Sequence, residues 1–238
     1  AAGRGRSAAA PQRAVASPTP PPAAVTQPHG PCFTVEGDVV TWEKGKFRIG
    51  FDGREGLPLH QLSFRDGERE RPVIYRASIS EMVVPYADPS PVRYWQNYFD
   101  AGEYMYARYT NSLQLGCDCL GEIHYFDATL ADERGKPSTL ANAICLHEED
   151  YGILWTHQDL HGGRTEVRRS RRLVVSSIAT VGNYEYGFYW YFYLDGSLQH
   201  EVKLTGIMST QALAPGVRSD HAPMVAPGYV IEIFFGAP

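Results

Sequence analysis

The residues best able to do chemistry lie in two tyrosine-rich stretches. Thr180-Val181-Gly182-Asn183-Tyr184-Glu185-Tyr186 runs straight into Gly187-Phe188-Tyr189-Trp190-Tyr191-Phe192-Tyr193, so that the Tyr184 phenol stands between an amide and a carboxylate. Upstream, Tyr94-Trp95-Gln96-Asn97-Tyr98-Phe99-Asp100-Ala101-Gly102-Glu103-Tyr104 sets one carboxylate, Asp100, among aromatic rings. On residue type alone, aromatic runs pack on pleated strands, and an Asp before Ala-Gly is a turn residue. Other candidates fall away on spacing. His157 and His161 have the spacing of half a zinc site but no C-x₂-C accompanies them. Cys117-Asp118-Cys119 is C-x-C, which specifies neither a zinc knuckle nor a thioredoxin-like motif. His147-Glu148-Glu149-Asp150-Tyr151 has Tyr151 where a metalloprotease helix needs its second His.

The elements that must position these residues read as strands. Asp195-Gly196 between two alternating runs is a hairpin signal, and a type I′ turn there pairs Gly187–Leu194 with Ser197–Leu204. Short runs at Phe33-Thr34-Val35, Val39-Val40-Thr41-Trp42, Lys46–Phe51, Leu57–Phe64, Val73–Ile79 and Gly121–Phe126 are broken by turn signals at Gly37-Asp38, Asp52-Gly53 and Asp66-Gly67. Many short strands at such intervals predict an all-β, antiparallel sandwich rather than α/β units. Helical periodicity is confined to about one turn near Leu130–Arg134.

Residues 1–31 are rich in Pro, Ala, Arg and Ser and hold no acidic residue. Such a segment cannot bury enough apolar surface to offset its ordering entropy, so it is expected to be a disordered arm or linker preceding a single β domain over 32–238. It lacks the apolar core of a secretory signal, whereas its composition fits an organelle-targeting arm as well as a linker. The net charge of −5 and the absence of long Lys/Arg clusters argue against nucleic acid. Arg168-Arg169-Ser170-Arg171-Arg172 reads as a charged, solvated strand edge. No apolar stretch reaches the length needed to cross a bilayer.

Thr180-x-x-Asn183-Tyr184-Glu185-Tyr186 resembles the signature of the copper-dependent primary amine oxidases, and Tyr94–Tyr104 is similar to a second motif of that family, in the same order. The resemblance runs from Phe33 to about Thr210 and more weakly to Ala226-Pro227-Gly228. It implies that Tyr184 is converted to topaquinone, that Asp100 is the catalytic base, that Tyr98 gates the substrate channel and that Tyr86 hydrogen-bonds a quinone oxygen. Asn183 and Glu185 would flank the ring and orient it, and Cys119 and Cys145 would form a disulfide. The implied reaction is oxidative deamination of a primary amine through a topaquinone Schiff base, giving an aldehyde, ammonia and, from dioxygen, hydrogen peroxide. The quinone supplies the electron sink that an unactivated α-C–H bond lacks, and a carboxylate removes the proton. A homodimer and a copper ion are implied as well, since imidazole suits copper.

The match departs at the metal. The family's His-x-His pair follows an Ala-Pro-Gly, but Tyr229-Val230-Ile231-Glu232-Ile233-Phe234-Phe235-Gly236-Ala237-Pro238 contains no His, and neither His200 nor His221 fits a ligand position. No metal ligand is therefore assigned, and the chain is expected to represent an incomplete portion of the catalytic sandwich. The alternative is a non-catalytic β-sandwich that keeps the scaffold without the copper ligands. A carbohydrate-binding sandwich fits less well, because the aromatic residues along Tyr186–Tyr193 occupy both faces of the strand.

Overall fold

The computed structural model describes residues 23–86, 91, 94–218, 220 and 222–231. Most of the expected arm, residues 1–22, lies outside them, as do His221 and residues 232–238. Strands β1 (Phe33–Glu36), β2 (Val39–Trp42), β3 (Gly45–Ile49), β4 (Leu59–Asp66) and β5 (Arg69–Ala77) form one antiparallel sheet in chain order. The short β6 (Val83–Pro85) and β7 (Asn97–Phe99) pair with each other and lead to a 3₁₀ turn at Tyr106–Tyr109. A second sheet follows from β8 (His124–Ala131), β9 (Pro137–Gln158), β10 (Thr165–Val181), β11 (Tyr184–Tyr193) and β12 (Leu198–Gly206), in the order β12-β11-β10-β9-β8. Three short strands, β13 (Thr210–Ala212), β14 (Met224–Ala226) and β15 (Tyr229–Ile231), form a separate small sheet.

Alternation makes the two five-stranded sheets a sandwich. Along β3, Phe47 and Ile49 are buried while Lys46 and Arg48 are exposed, and the inward row meets Phe126, Ile144, Leu146, Leu173, Val175, Trp190 and Phe192 from the second sheet. Phe47 stacks on Phe192 with ring centroids 4.3 Å apart, and each fully buried ring of this kind contributes roughly 1.5–3 kcal/mol. Trp190 is amphipathic, and its Nε1–H donates to the Leu57 carbonyl at 3.2 Å. The all-β antiparallel sandwich read from the sequence is thus the fold observed.

Two local expectations are corrected. No helical turn forms near Leu130–Arg134: Leu130 ends in β8, and the Asp132 side chain accepts from the amides of Arg134 and Lys136, closing a hairpin loop instead. The single helical element among the described residues is the 3₁₀ turn at Tyr106–Tyr109. The Asp195-Gly196 hairpin exists, but only Gly196 has positive φ (88°), so the turn is not type I′. Gly196 N–H bonds the Tyr193 carbonyl and Tyr193 N–H bonds that of Ser197, a three-residue loop with glycine in the left-handed position.

β9 and β10 are far longer than the sequence runs suggest. Beyond Arg171 toward Thr165, β10 pairs with β9 alone among the described residues, across two bulges. That leaves Arg168–Arg171 along an edge, as the charge run implies, and Arg169 there pairs with Asp150. The chain just before β1 is tied to the second sheet through the buried Glu148, which accepts from Gln27 Nε2 (2.6 Å), the Cys32 amide (2.8 Å) and Trp42 Nε1 (2.9 Å). No helix among the described residues is long and apolar enough to cross a membrane.

Candidate active site

Tyr184 owes its position to a two-residue turn. Val181 and Tyr184 are register partners, so Gly182 and Asn183 alone connect β10 to β11. Gly182 has φ 62° while Asn183 stays at negative φ, the pattern of a type II′ hairpin, in which glycine takes the first central place. Tyr184 is therefore the first residue of β11. Alternation then puts Tyr184, Tyr186, Phe188, Trp190 and Phe192 on one face, a row that continues the sandwich core outward to its end. Tyr184 and Tyr186 lie nearly parallel, with centroids 6.3 Å apart and planes at 15°.

The same alternation sends Glu185 to the opposite face. Its carboxylate accepts from the hydroxyl of Thr180, its cross-strand partner, at 2.8 Å, and Asn111 Nδ2 donates to that hydroxyl at 2.9 Å. Glu185 thus braces the hairpin from behind the sheet rather than standing beside the Tyr184 ring. Asn183 occupies the exposed turn, with its carbonyl accepting the Ile207 amide at 2.7 Å.

Asp100 reaches the same place from β7. Its amide bonds the Met82 carbonyl at 2.8 Å, its carbonyl accepts the Tyr106 amide at 2.9 Å, and Glu81 gathers the amides of Ala101 and Gly102. These bonds fix the turn on both sides of Asp100, which is 3% exposed. Tyr186 donates its hydroxyl to Asp100 Oδ2 at 2.9 Å. Burial pushes the Asp100 carboxyl above its ordinary value, against the Tyr186 hydrogen bond and with help from the negative charges of Glu81 and Glu103.

Tyr86, from the segment just after β6, places its hydroxyl 3.1 Å from that of Tyr184. Burial and that contact push the Tyr86 phenol well above its ordinary value. Tyr98 stands edge-on to Tyr86 at 5.7 Å and to Tyr104 at 5.9 Å. Tyr86, Tyr98, Asp100, Asn183, Tyr184 and Tyr186 all line one cleft of about 390 Å³. Every residue singled out in the two motifs, Glu185 apart, converges there. The motif contains Thr180 and Tyr186 without assigning them a role, and Asn111 and Glu81 carry no signal of their own; the dipeptide Gly182-Asn183 is itself a hairpin signal that sets Thr180 across from Glu185.

Copper in proteins takes imidazole or thiolate ligands. The lining residues include no His and no Cys. His200 packs against Trp190 with ring centroids 4.2 Å apart, and burial lowers its pKa. His157 and His161 are exposed along and beyond the end of β9. The described residues therefore do not fit a copper ion beside Tyr184. Cys119 and Cys145 form a disulfide on the opposite face of the second sheet.

Residues 34–233 match the family model for the copper amine oxidase enzyme domain. The chain is 59% identical over 207 residues to a histamine oxidase of Arthrobacter globiformis, covering 87% of this chain and 30% of that protein. It is 46% identical over 198 residues to the peroxisomal primary amine oxidase of Pichia angusta, covering 82% of this chain and 29% of that protein. The fold superposes on the crystal structure of a copper-containing benzylamine oxidase from Hansenula polymorpha with a TM-score of 0.84 at 36% identity, over 93% of this chain and 34% of that one. The chain thus spans about a third or less of these relatives, which belong to a family using copper and topaquinone. The match of family model, sequence and fold places this chain in the copper amine oxidase family, as part of its enzyme domain.

Proposed function

We propose that this chain forms the amine-binding, proton-abstracting portion of a primary amine oxidase, with Tyr184 as the site of topaquinone. The observation that carries the reading is the convergence of Asp100, Tyr184 and Tyr86 in one aromatic-walled cleft from three separate segments. A topaquinone at Tyr184 would supply the electrophilic carbonyl and the electron sink for oxidising the amine. Asp100 takes the α-proton of the substrate. Tyr186 holds its Oδ2, which leaves Oδ1 for that proton, and burial keeps the carboxylate basic. Tyr86 steadies the ring oxygen at position 184, while Tyr98 and Tyr104 wall the approach and exclude water. Asn183 and Glu185 orient the ring through the hairpin itself. The products are an aldehyde, ammonia and, from dioxygen, hydrogen peroxide.

No step is assigned to copper, since no metal ligand is assigned in this chain. A homodimer is proposed on the β9–β10 ribbon, where Ile153, Leu154, Trp155 and Val167 are all exposed and an apolar partner surface would cover them. A peroxisomal location is proposed by similarity to the Pichia angusta relative.

The test is a chimaera in which this chain replaces the matching stretch of the Arthrobacter globiformis relative. Turnover of a primary amine and a visible quinone band shifted by phenylhydrazine are expected. Tyr184→Phe should abolish both, and Asp100→Asn should keep the band and lose turnover. A folded chimaera with no band, or a band that survives Tyr184→Phe, would refute the proposal. The chain alone, given Cu(II) and air, should show no band. A second reading, a non-catalytic sandwich, is favoured by the lack of imidazole among the described residues lining the cleft; because the chimaera restores the relative's histidines, a folded but silent chimaera would show that the loss extends beyond the copper ligands.

A further inference from the structure

On the face of the second sheet away from the cleft lies a buried group that the amine chemistry does not use. Cys119, Cys145 and His147 are 4%, 0% and 6% exposed, and their sulfur and ring-nitrogen atoms all lie within 4.8 Å of one another. Cys145 and His147 are alternate residues of β9 and so share a face, opposite Ser176 and Val174 of β10. His147 Nδ1 sits 3.2 Å from Cys145 Sγ, and His147 Nε2 lies 3.3 Å from Glu149 Oε1. Arg172 holds Glu149 in turn, at 2.7 Å through Nε. Leu113, Ile123 and Ile178 wall the sulfurs.

We propose that reduction of the Cys119–Cys145 disulfide opens a thiolate–imidazole site for a borderline or soft cation, with Cys119, Cys145 and His147 as ligands and Glu149 as the positioning residue. The step balances: a dithiol reductant delivers two electrons and two protons to break the S–S bond, becoming a disulfide itself, and the bound cation then displaces both thiol protons. Tetrahedral zinc sets two thiolate sulfurs about 3.8 Å apart and a sulfur and imidazole nitrogen about 3.5 Å apart. The reduced side chains reach those separations by small rotations. A carboxylate on the far ring nitrogen is the arrangement that fixes a ligating imidazole's tautomer and orientation. Oxidised, the sulfurs are spent on each other and the site is closed. The disulfide thereby gates metal uptake, whatever the cleft does.

The experiment uses the full chain with Cys32→Ser and Cys117→Ser, which removes the two free thiols. The protein is reduced with a phosphine, freed of excess reductant and titrated anaerobically with Co(II), then with Zn(II) in competition. One equivalent of Co(II) is expected, with sulfur-to-cobalt charge-transfer absorption and tetrahedral d–d bands, displaced by Zn(II). The oxidised chain should show none. Cys145→Ser and His147→Gln should each remove the charge-transfer bands or weaken binding at least tenfold, and Glu149→Gln should weaken it about tenfold while keeping the spectrum. The proposal is overturned if the reduced chain binds no Co(II), if the oxidised chain binds it equally, or if His147→Gln leaves affinity unchanged. Loss of the far-ultraviolet β signal on reduction would also overturn it, since the site would then not outlive the disulfide.

Discussion

The Tyr186 hydroxyl donates to Oδ2 of Asp100 at 2.9 Å, joining two residues 86 apart in the chain. Of the influences on that carboxylate, this hydrogen bond is the one that favours the charged form. Tyr186→Phe should therefore push the Asp100 pKa further up and move the acidic limb of kcat/KM in the chimaera to higher pH. A hydrogen bond to an ionised partner is worth roughly 1.5–3 kcal/mol, so the limb should move measurably while the high-pH plateau of kcat changes little. Carboxyl ¹³C chemical shifts of the labelled chain report the same titration directly. An unmoved titration would mean that Tyr186 merely fills space.

Asp100 also bears on stability. Folded Asp100 holds its proton to higher pH than the unfolded chain, whose carboxyl titrates near its ordinary value of 3.8. Between those two pKa values the folded state binds more protons, so this group's contribution to stability falls as pH rises through that window. At neutral pH the buried charge is a net cost. Asp100→Asn should then stabilise the fold at pH 7 by on the order of 1 kcal/mol, about 2–4 °C in thermal midpoint. The gain should vanish below pH 3.8. A midpoint that drops at pH 7 would show the charge to be better compensated than burial indicates.

Much of this architecture is legible in the sequence because strands announce themselves locally. The alternation at Lys46–Phe51 and Gly187–Tyr193 maps directly onto β3 and β11. Turn type is less legible: Asp195-Gly196 carries the I′ dipeptide, but the loop there takes three residues and one positive φ. The long β9–β10 ribbon is hidden, since its outer half carries charge and exposed rings on both faces and alternation gives no inward row to count. The site was legible only in part for the same reason. Asp100 and Tyr184 sit in recognisable motifs, whereas the partners that hold them, Tyr186, Glu81 and Asn111, act across long sequence distances.

A second carboxylate, Glu149, contributes to the acid limb of stability. The hydrogen bond with His147 first, and those from Arg172, hold Glu149 at about 2, well under its ordinary 4.5. The unfolded chain takes up that proton as pH falls below 4.5, while the folded state resists until about 2. Stability contributed by Glu149 is thus fully present above 4.5 and lost progressively down to about 2. Glu149→Gln should flatten the pH dependence of the denaturation midpoint across that window and leave it nearly parallel to the parent above it. A limb that stays as steep as the parent's would assign acid lability elsewhere.

The hairpin that presents Tyr184 depends on a glycine in the neighbouring strand. Gly206 pairs with Tyr184 at the end of β12 and has φ 113°, a conformation that side chains with a Cβ rarely adopt. A Cβ there would run into the Asn183 carbonyl and stand 2.9 Å from both the Glu185 amide nitrogen and the Tyr184 Cα, all backbone atoms that cannot swing away. Gly206→Ala should destabilise the fold by about 1–3 kcal/mol through backbone strain alone, with the displacement of β12 added to it. Because the clash falls on Asn183 and Tyr184, the quinone band of the chimaera should fall more than its overall β content. Gly67→Ala, at φ 63° with open space around it, has positive φ without the clash. It should cost only the strain and leave the band intact. Equal losses of band in the two variants would place the effect in general stability rather than in the geometry around Tyr184.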